Sequence, residues 1–181
     1  GVLFFKIFFP KNYPHTPPDL CYVSRNRVRI HPNLYTRHHP TGHGKVCLSI
    51  LGTWSGPKWT SIMDTSTVLL TIQSLLDKKP LLHEPGVTNV DYINNFSKII
   101  EHENIKTLFL KNTLDIPEGF EIFKEHINKN FETNKDKLYD KIQKNISTGS
   151  KCATIRLGMY ALEYTINYVS LKKFFVENSK I

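Results

Sequence analysis

The 181-residue sequence concentrates its chemistry-bearing side chains in one stretch. His31-Pro32-Asn33 comes first, then Gly44-Lys45-Val46-Cys47-Leu48-Ser49-Ile50-Leu51-Gly52, then Trp54 through Trp59, with His83-Glu84 further on. Cys47 follows a glycine turn in mixed polar and apolar company, where a thiol can be both held and reached. Such a thiol can act as a nucleophile whose covalent intermediate divides one hard step into two easier ones. It can equally be a small buried hydrophobe, the ordinary fate of a free cysteine. His83 has the chemistry to share in proton handling, or is simply a solvated loop residue.

The elements that must position these residues change character along the chain. Up to Thr88 the sequence is rich in Pro, Gly and aromatic residues in short runs. Beyond Asn89, Lys, Glu, Asn and Ile dominate, which marks strands and loops giving way to helices. Val2 to Phe9 and Leu20 to Val23 have the β-branched and aromatic content of strands. Between them, Tyr13-Pro14-His15-Thr16-Pro17-Pro18 must be a rigid turn, and X-Pro bonds of this kind are where cis peptides occur. From Thr65 to Leu76, residues Val68, Leu69, Ile72, Leu75 and Leu76 fall on one helical face, capped by Asp64 or Thr65 and ended before Pro80. Tyr92, Ile93, Phe96, Ile99 and Ile100 repeat that spacing, with continuation toward Phe109. Phe120, Phe123, Ile127 and Phe131 predict a further helix, and Ala153 to about Val176 a last one.

Composition excludes several classes. With 40% hydrophobic and 22% charged residues, the chain is neither disordered nor collagen-like. Its longest apolar run is broken by Lys6 and stopped by Pro10, far short of the roughly 20 residues a spanning helix needs, and it lacks the basic lead of a signal peptide. Cys21, Cys47 and Cys152 form no CxxC pair and leave an odd count, which favours a reducing compartment. The net charge of +8 is uneven: ten Lys and Arg face four acidic residues up to Thr88, and 14 face 12 thereafter. Arg25, Arg27 and Arg29 alternate along an expected strand. On one face they would suit an acidic protein partner or phosphates, or merely be solvated.

The order His-Pro-Asn, Gly-x-Val-Cys-Leu, Trp and then an amphipathic helix resembles the ubiquitin-conjugating enzymes. The resemblance starts with Gly1-Val2-Leu3-Phe4-Phe5, Phe9-Pro10, Tyr13-Pro14 and Pro17-Pro18 and runs to Glu84-Pro85-Gly86. The stretch Leu51-Gly52-Thr53-Trp54-Ser55-Gly56-Pro57-Lys58-Trp59 is similar to the long Z-type members with a C-terminal extension. The resemblance implies an α+β fold, an antiparallel β-sheet packed on helices. It places a conjugating core over residues 1–110 and a helical extension over 111–181.

What it implies for function is equally concrete. Cys47 would carry ubiquitin or a ubiquitin-like protein as a thioester and pass it to a substrate lysine or a ligase cysteine. Asn33 matches the asparagine assigned to stabilising the oxyanion or ordering the nearby loop. Glu84 matches the acidic residue that orients the amine, while Ser49 stands where many minimal members have Asp. His31 and Pro32 would support the site structurally, and Trp54 and Trp59 would wedge the loop after Cys47 against the body. Expected partners are the modifier, an activating enzyme, a ligase and substrate proteins, without nucleic acid or membrane. No cofactor or metal is expected, ATP being used by the activating enzyme, and the expected setting is cytoplasmic with the nucleus as a further compartment. A non-catalytic module that keeps the fold to bind ubiquitin or a ligase is the alternative.

Two departures stand out. The connection Leu34 to Val46 is longer than the family's, so Tyr35 to His43 holds an insertion, expected as a flexible loop over the site. Its His38, His39 and His43, with His31 and Cys47, fit no standard zinc spacing, and metallating Cys47 would block the thioester. The chain also opens inside the family's second strand, so a fragment lacking the first helix and first strand is expected.

Overall fold

The computed structural model describes residues 1–149 and 151–179 and divides into two compact units. One spans Phe4–Ile93. The other combines Gly1–Leu3 with the chain from Asn94 onward. The division therefore falls near residue 93, inside a helix.

In the Phe4–Ile93 unit four short strands form one antiparallel sheet: β1 (Phe5–Phe8), β2 (Asp19–Tyr22), β3 (Leu34–His38) and β4 (Gly44–Val46), in the order β1-β2-β4-β3. Phe5 faces Tyr22, Cys21 faces Lys45, and Leu34 faces Val46. The buried side of this unit is built from Leu20, Tyr22, Val28, Ile30, Leu34, Val46, Val68, Ile72 and Leu81. The proline-rich link between β1 and β2 turns through a cis Tyr13–Pro14 bond. Helix α1 (Thr65–Leu75) begins with a reciprocal cap in which Asp64 accepts from the Thr67 N–H at 2.9 Å. It buries Val68 and Ile72, whereas Leu69 and Leu76 of the expected apolar face are exposed.

Two expectations for this unit change. Residues 25–29 form no strand, so the three arginines do not alternate on a sheet face. Arg29 is half-buried, its guanidinium 3.5 Å from the Tyr35 ring centroid and donating to the Pro32 carbonyl. The Tyr35–His43 insertion is the irregular end of the β3–β4 hairpin. Its His39 bonds Asp19 at 3.0 Å and Thr41 at 2.8 Å, and His38 adopts a φ of 79°. No group of three His, Cys, Asp or Glu is placed to hold a metal among the described residues.

In the other unit, α2 (Val90–Glu103) continues into a π-helical segment, Asn104–Lys111, followed by α3 (Lys124–Ser147) and α4 (Tyr168–Asn178). The chain start is held here, with the Val2 N–H on the Leu108 carbonyl at 2.8 Å and the Asn112 amide on the Val2 carbonyl at 2.8 Å. The single helix expected from Ala153 to Val176 is instead a hairpin followed by a helix. Strands β5 (Cys152–Leu157) and β6 (Leu162–Asn167) pair antiparallel, and only α4 is helical. Leu157, Tyr160, Ala161 and Tyr164 do recur at helical spacing, but Thr154, Ile155, Thr165 and Ile166 are β-branched and pair across the hairpin. In β6, Tyr164 and Ile166 are buried while Glu163 and Thr165 are exposed, the period of two that a strand face requires. No helix of the described residues is long and apolar enough to cross a membrane.

Candidate functional site

Asn33, Arg29, Tyr35, Lys45 and Glu84, which bear on Cys47, all lie in the Phe4–Ile93 unit. Strand β4 ends at Val46 and β3 begins at Leu34, so Cys47 and Asn33 face each other just past the ladder. Gly44 is demanded by this hairpin: a Cβ there would stand 1.8 Å from the Tyr35 carbonyl oxygen. The Cys47 N–H donates to the Asn33 carbonyl at 2.9 Å, and the Asn33 side-chain amide donates to the Cys47 carbonyl at 2.7 Å. These two bonds lock the asparagine against the cysteine backbone. Downstream, Thr53 accepts from the Leu48 N–H at 2.9 Å and donates to the Val46 carbonyl at 2.8 Å. The loop after Cys47 is thereby folded back on the strand that delivers it.

Cys47 is 2% exposed. Burial pushes its thiol pKa up, and the Glu84 charge adds to that rise. The cations of Lys45 and Arg29 and a hydrogen bond with the Tyr35 side chain pull the other way. A covered thiol of this kind is quiet at rest, yet it has two positive charges and a phenol ready to stabilise a thiolate. Glu84 caps the short turn Pro80–His83, donating its N–H to the Leu81 carbonyl at 3.1 Å, and is half-buried.

His31 and Pro32 are buried in the turn that presents Asn33. His31 is 1% exposed, and its Nδ1 accepts the Asn33 N–H at 3.1 Å. Its pKa is lowered to about 4 by burial first and then by the charge of His83. A neutral ring with its proton on Nε2 is what this bond requires. Nε2 itself makes no hydrogen bond of good geometry, although the Leu75 carbonyl lies near enough to favour protonation. The two tryptophans separate: Trp59 donates Nε1–H to the Pro14 carbonyl at 2.6 Å beside Tyr13, whereas Trp54 is 36% exposed. Trp59 therefore anchors to the proline turn, while Trp54 is the more exposed of the two.

Sequence reasoning missed Tyr35, Arg29 and Lys45 as neighbours of the thiol. A signal for Tyr35 existed, because residues two apart at the start of a strand share a face, and Asn33 already pointed to Cys47. Arg29 left no such trace, since its position depends on stacking over Tyr35.

The sequence is also similar to those of known proteins. A family model described as "Ubiquitin-conjugating enzyme" matches residues 1–103. The "Ubiquitin-conjugating enzyme E2 Z" of Xenopus tropicalis is 40% identical over 111 residues, covering 59% of this chain and 34% of that protein. The human protein of the same name is also 40% identical over 111 residues, with 59% of this chain and 30% of its own length covered. The "Probable ubiquitin-conjugating enzyme E2 25" of Arabidopsis thaliana is 53% identical over 93 residues, covering 48% of this chain and 14% of its own. The match spans about a third of the length of the E2 Z relatives.

Proposed function

The chain belongs to the ubiquitin-conjugating enzyme family, and from that premise we propose that it carries ubiquitin or a ubiquitin-like protein as a thioester on Cys47 and transfers it to a substrate lysine or a ligase cysteine. The observation that carries this reading is the reciprocal pairing of Asn33 and Cys47 at 2.9 and 2.7 Å. In the first step the Cys47 sulfur attacks the modifier's thioester carbonyl on the activating enzyme, whose cysteine leaves as thiolate. Lys45, Arg29 and Tyr35 favour the Cys47 thiolate as attacking group, and later as leaving group.

In the second step a lysine amine attacks the new thioester carbonyl, and negative charge develops on its oxygen. The Asn33 amide nitrogen carries two hydrogens, one of them held by the Cys47 carbonyl. The other is available to the developing oxyanion, a contribution of about 3 kcal/mol for a well-placed donor. Glu84 supplies the carboxylate that aligns the incoming ammonium and accepts its proton. ATP is consumed by the activating enzyme, so the chain needs no cofactor of its own. The setting proposed is the cytoplasm and the nucleus.

Incubation with activating enzyme, ATP and ubiquitin tests the reading. A thiol-sensitive adduct is expected, converted to a more stable ester by Cys47→Ser and abolished by Cys47→Ala. An adduct that survives in Cys47→Ala overturns the assignment. Ubiquitin binding without any adduct in the wild-type protein assigns a non-catalytic module instead.

A further inference from the structure

Next to the Asn33 turn, an aspartate and two histidines stand in series. Asp77 follows the end of α1. One of its oxygens accepts the Lys79 N–H at 2.7 Å, and the other lies 3.0 Å from Nε2 of His83. His83 closes the turn Pro80–His83 and immediately precedes Glu84. Its ring centroid is 4.8 Å from that of buried His31, whose Nδ1 holds the Asn33 N–H. The series thus runs from the loop that carries Glu84 to the turn that carries Asn33, without passing through Cys47.

We propose that Asp77 and His83 are positioning residues that pin the Glu84 loop against the His31–Asn33 turn, fixing the acid and the amide donor relative to each other for amine attack. The inference rests on the function proposed above. His83 touches neither the thiol nor Asn33, so it acts through His31. Asp77 gives it a carboxylate partner, and that carboxyl is itself held below the ordinary range: burial pushes it up, but the His83 and Lys79 hydrogen bonds outweigh this. A proton on His83 discourages one on His31, because two adjacent imidazolium rings repel. Asp77 opposes this and Arg29 adds to it. Burial does most to keep His31 neutral, and the His83 charge adds to it, so the ring keeps its lone pair for the Asn33 N–H.

Charging requires only the Cys47 thiol and an activated carbonyl, whereas discharge to an amine needs Glu84 and Asn33 in register. His83→Ala and Asp77→Ala should therefore each slow discharge of the ubiquitin thioester to free lysine about tenfold, within the range that misplacing a catalytic group costs. Charging should stay within about twofold, since neither residue is among the groups that bear on the Cys47 thiol. The double variant should be no slower than either single, and His83→Gln, which keeps a hydrogen bond to Asp77, should recover most of the rate. The Asn33 backbone and side-chain amide resonances should move in His83→Ala and return in His83→Gln. Discharge unchanged in both single variants, charging slowed as much as discharge, or effects that multiply in the double variant would each overturn the pin. If the wild-type protein takes no ubiquitin at all, the proposed function fails. The pin is then decided by the Asn33 resonances alone, where no movement in His83→Ala overturns it and movement restored by His83→Gln supports it.

Discussion

Each of the two units buries one histidine that accepts a backbone N–H, yet they do so as opposite tautomers and for different ends. In the Phe4–Ile93 unit, His31 accepts from Asn33 two residues away through Nδ1, so its proton is on Nε2. In the unit from Asn94 onward, the Tyr164 hydroxyl donates to Glu103 at 2.6 Å. His102 Nδ1 must then be the donor to Tyr164 at 2.8 Å, and Nε2 accepts the Asn167 N–H at 3.2 Å. Thr107 completes the group by donating to the other Glu103 oxygen at 2.7 Å. The first histidine shapes a turn beside a thiol. The second ties a helix to a hairpin more than 60 residues away, with no nucleophile in its network. A buried histidine is thus no marker of catalysis, and only the groups bonded to it show what it serves.

Acid should expose both histidines and separate them. Each has a folded-state pKa below its ordinary 6.5, for His102 chiefly through burial. The unfolded chain therefore binds more protons, and stability falls as pH drops through 6.5 toward the folded value. For His31, titrating at about 4, the loss by pH 4 is about 3 kcal/mol. Equilibrium unfolding against pH, with imidazole resonances followed for each ring, checks it. A His31 midpoint near 6.5 would erase the parallel with His102.

Asn33→Ala should slow lysine discharge about a hundredfold, the cost of a lost oxyanion donor, and should leave the His102 resonances where they are. Single-turnover discharge measures it, and a change within twofold would leave Asn33 with loop ordering alone. In the other unit, Glu103→Ala strands the Tyr164 and Thr107 hydroxyls and should cost about 2 kcal/mol of stability by denaturant titration. Glu103→Gln, which can still accept from one of them, should cost less. The smallest contrast is between thiols. Exposed Cys152 should alkylate before buried Cys47, and the Cys47 rate should keep climbing above the pH at which an ordinary thiol levels off, as its raised pKa demands. Peptide mapping of iodoacetamide adducts reads both.

Legibility differed between the units in the same way. The strands around the proline turn, the Asp64 cap and the helical period of α1 and α2 were readable because caps, turns and apolar periods act over a few residues, although α1 buries only Val68 and Ile72 of its expected face. The hairpin Cys152–Asn167 was misread as a helix because Tyr and Ala at three- and four-residue spacing satisfy both periods over so short a span, and cross-strand pairing decided between them. Arg29 was read as a surface charge, since nothing in Arg25-Asn26-Arg27-Val28-Arg29 announces the Tyr35 ring it covers.

By itself the sequence determined which side chains carry reactive chemistry and in what order: a thiol at Cys47, an amide at Asn33, an acid at Glu84, with the turns that present them. Tertiary structure decided how those groups are tuned. Arg29 and Tyr35 flank the thiol, Asp77 and His83 stand behind His31, and Glu103 meets Tyr164. Each of these meetings joins residues from separate elements, and hydrogen bonds and charge act through distances in space that spacing along the chain does not record.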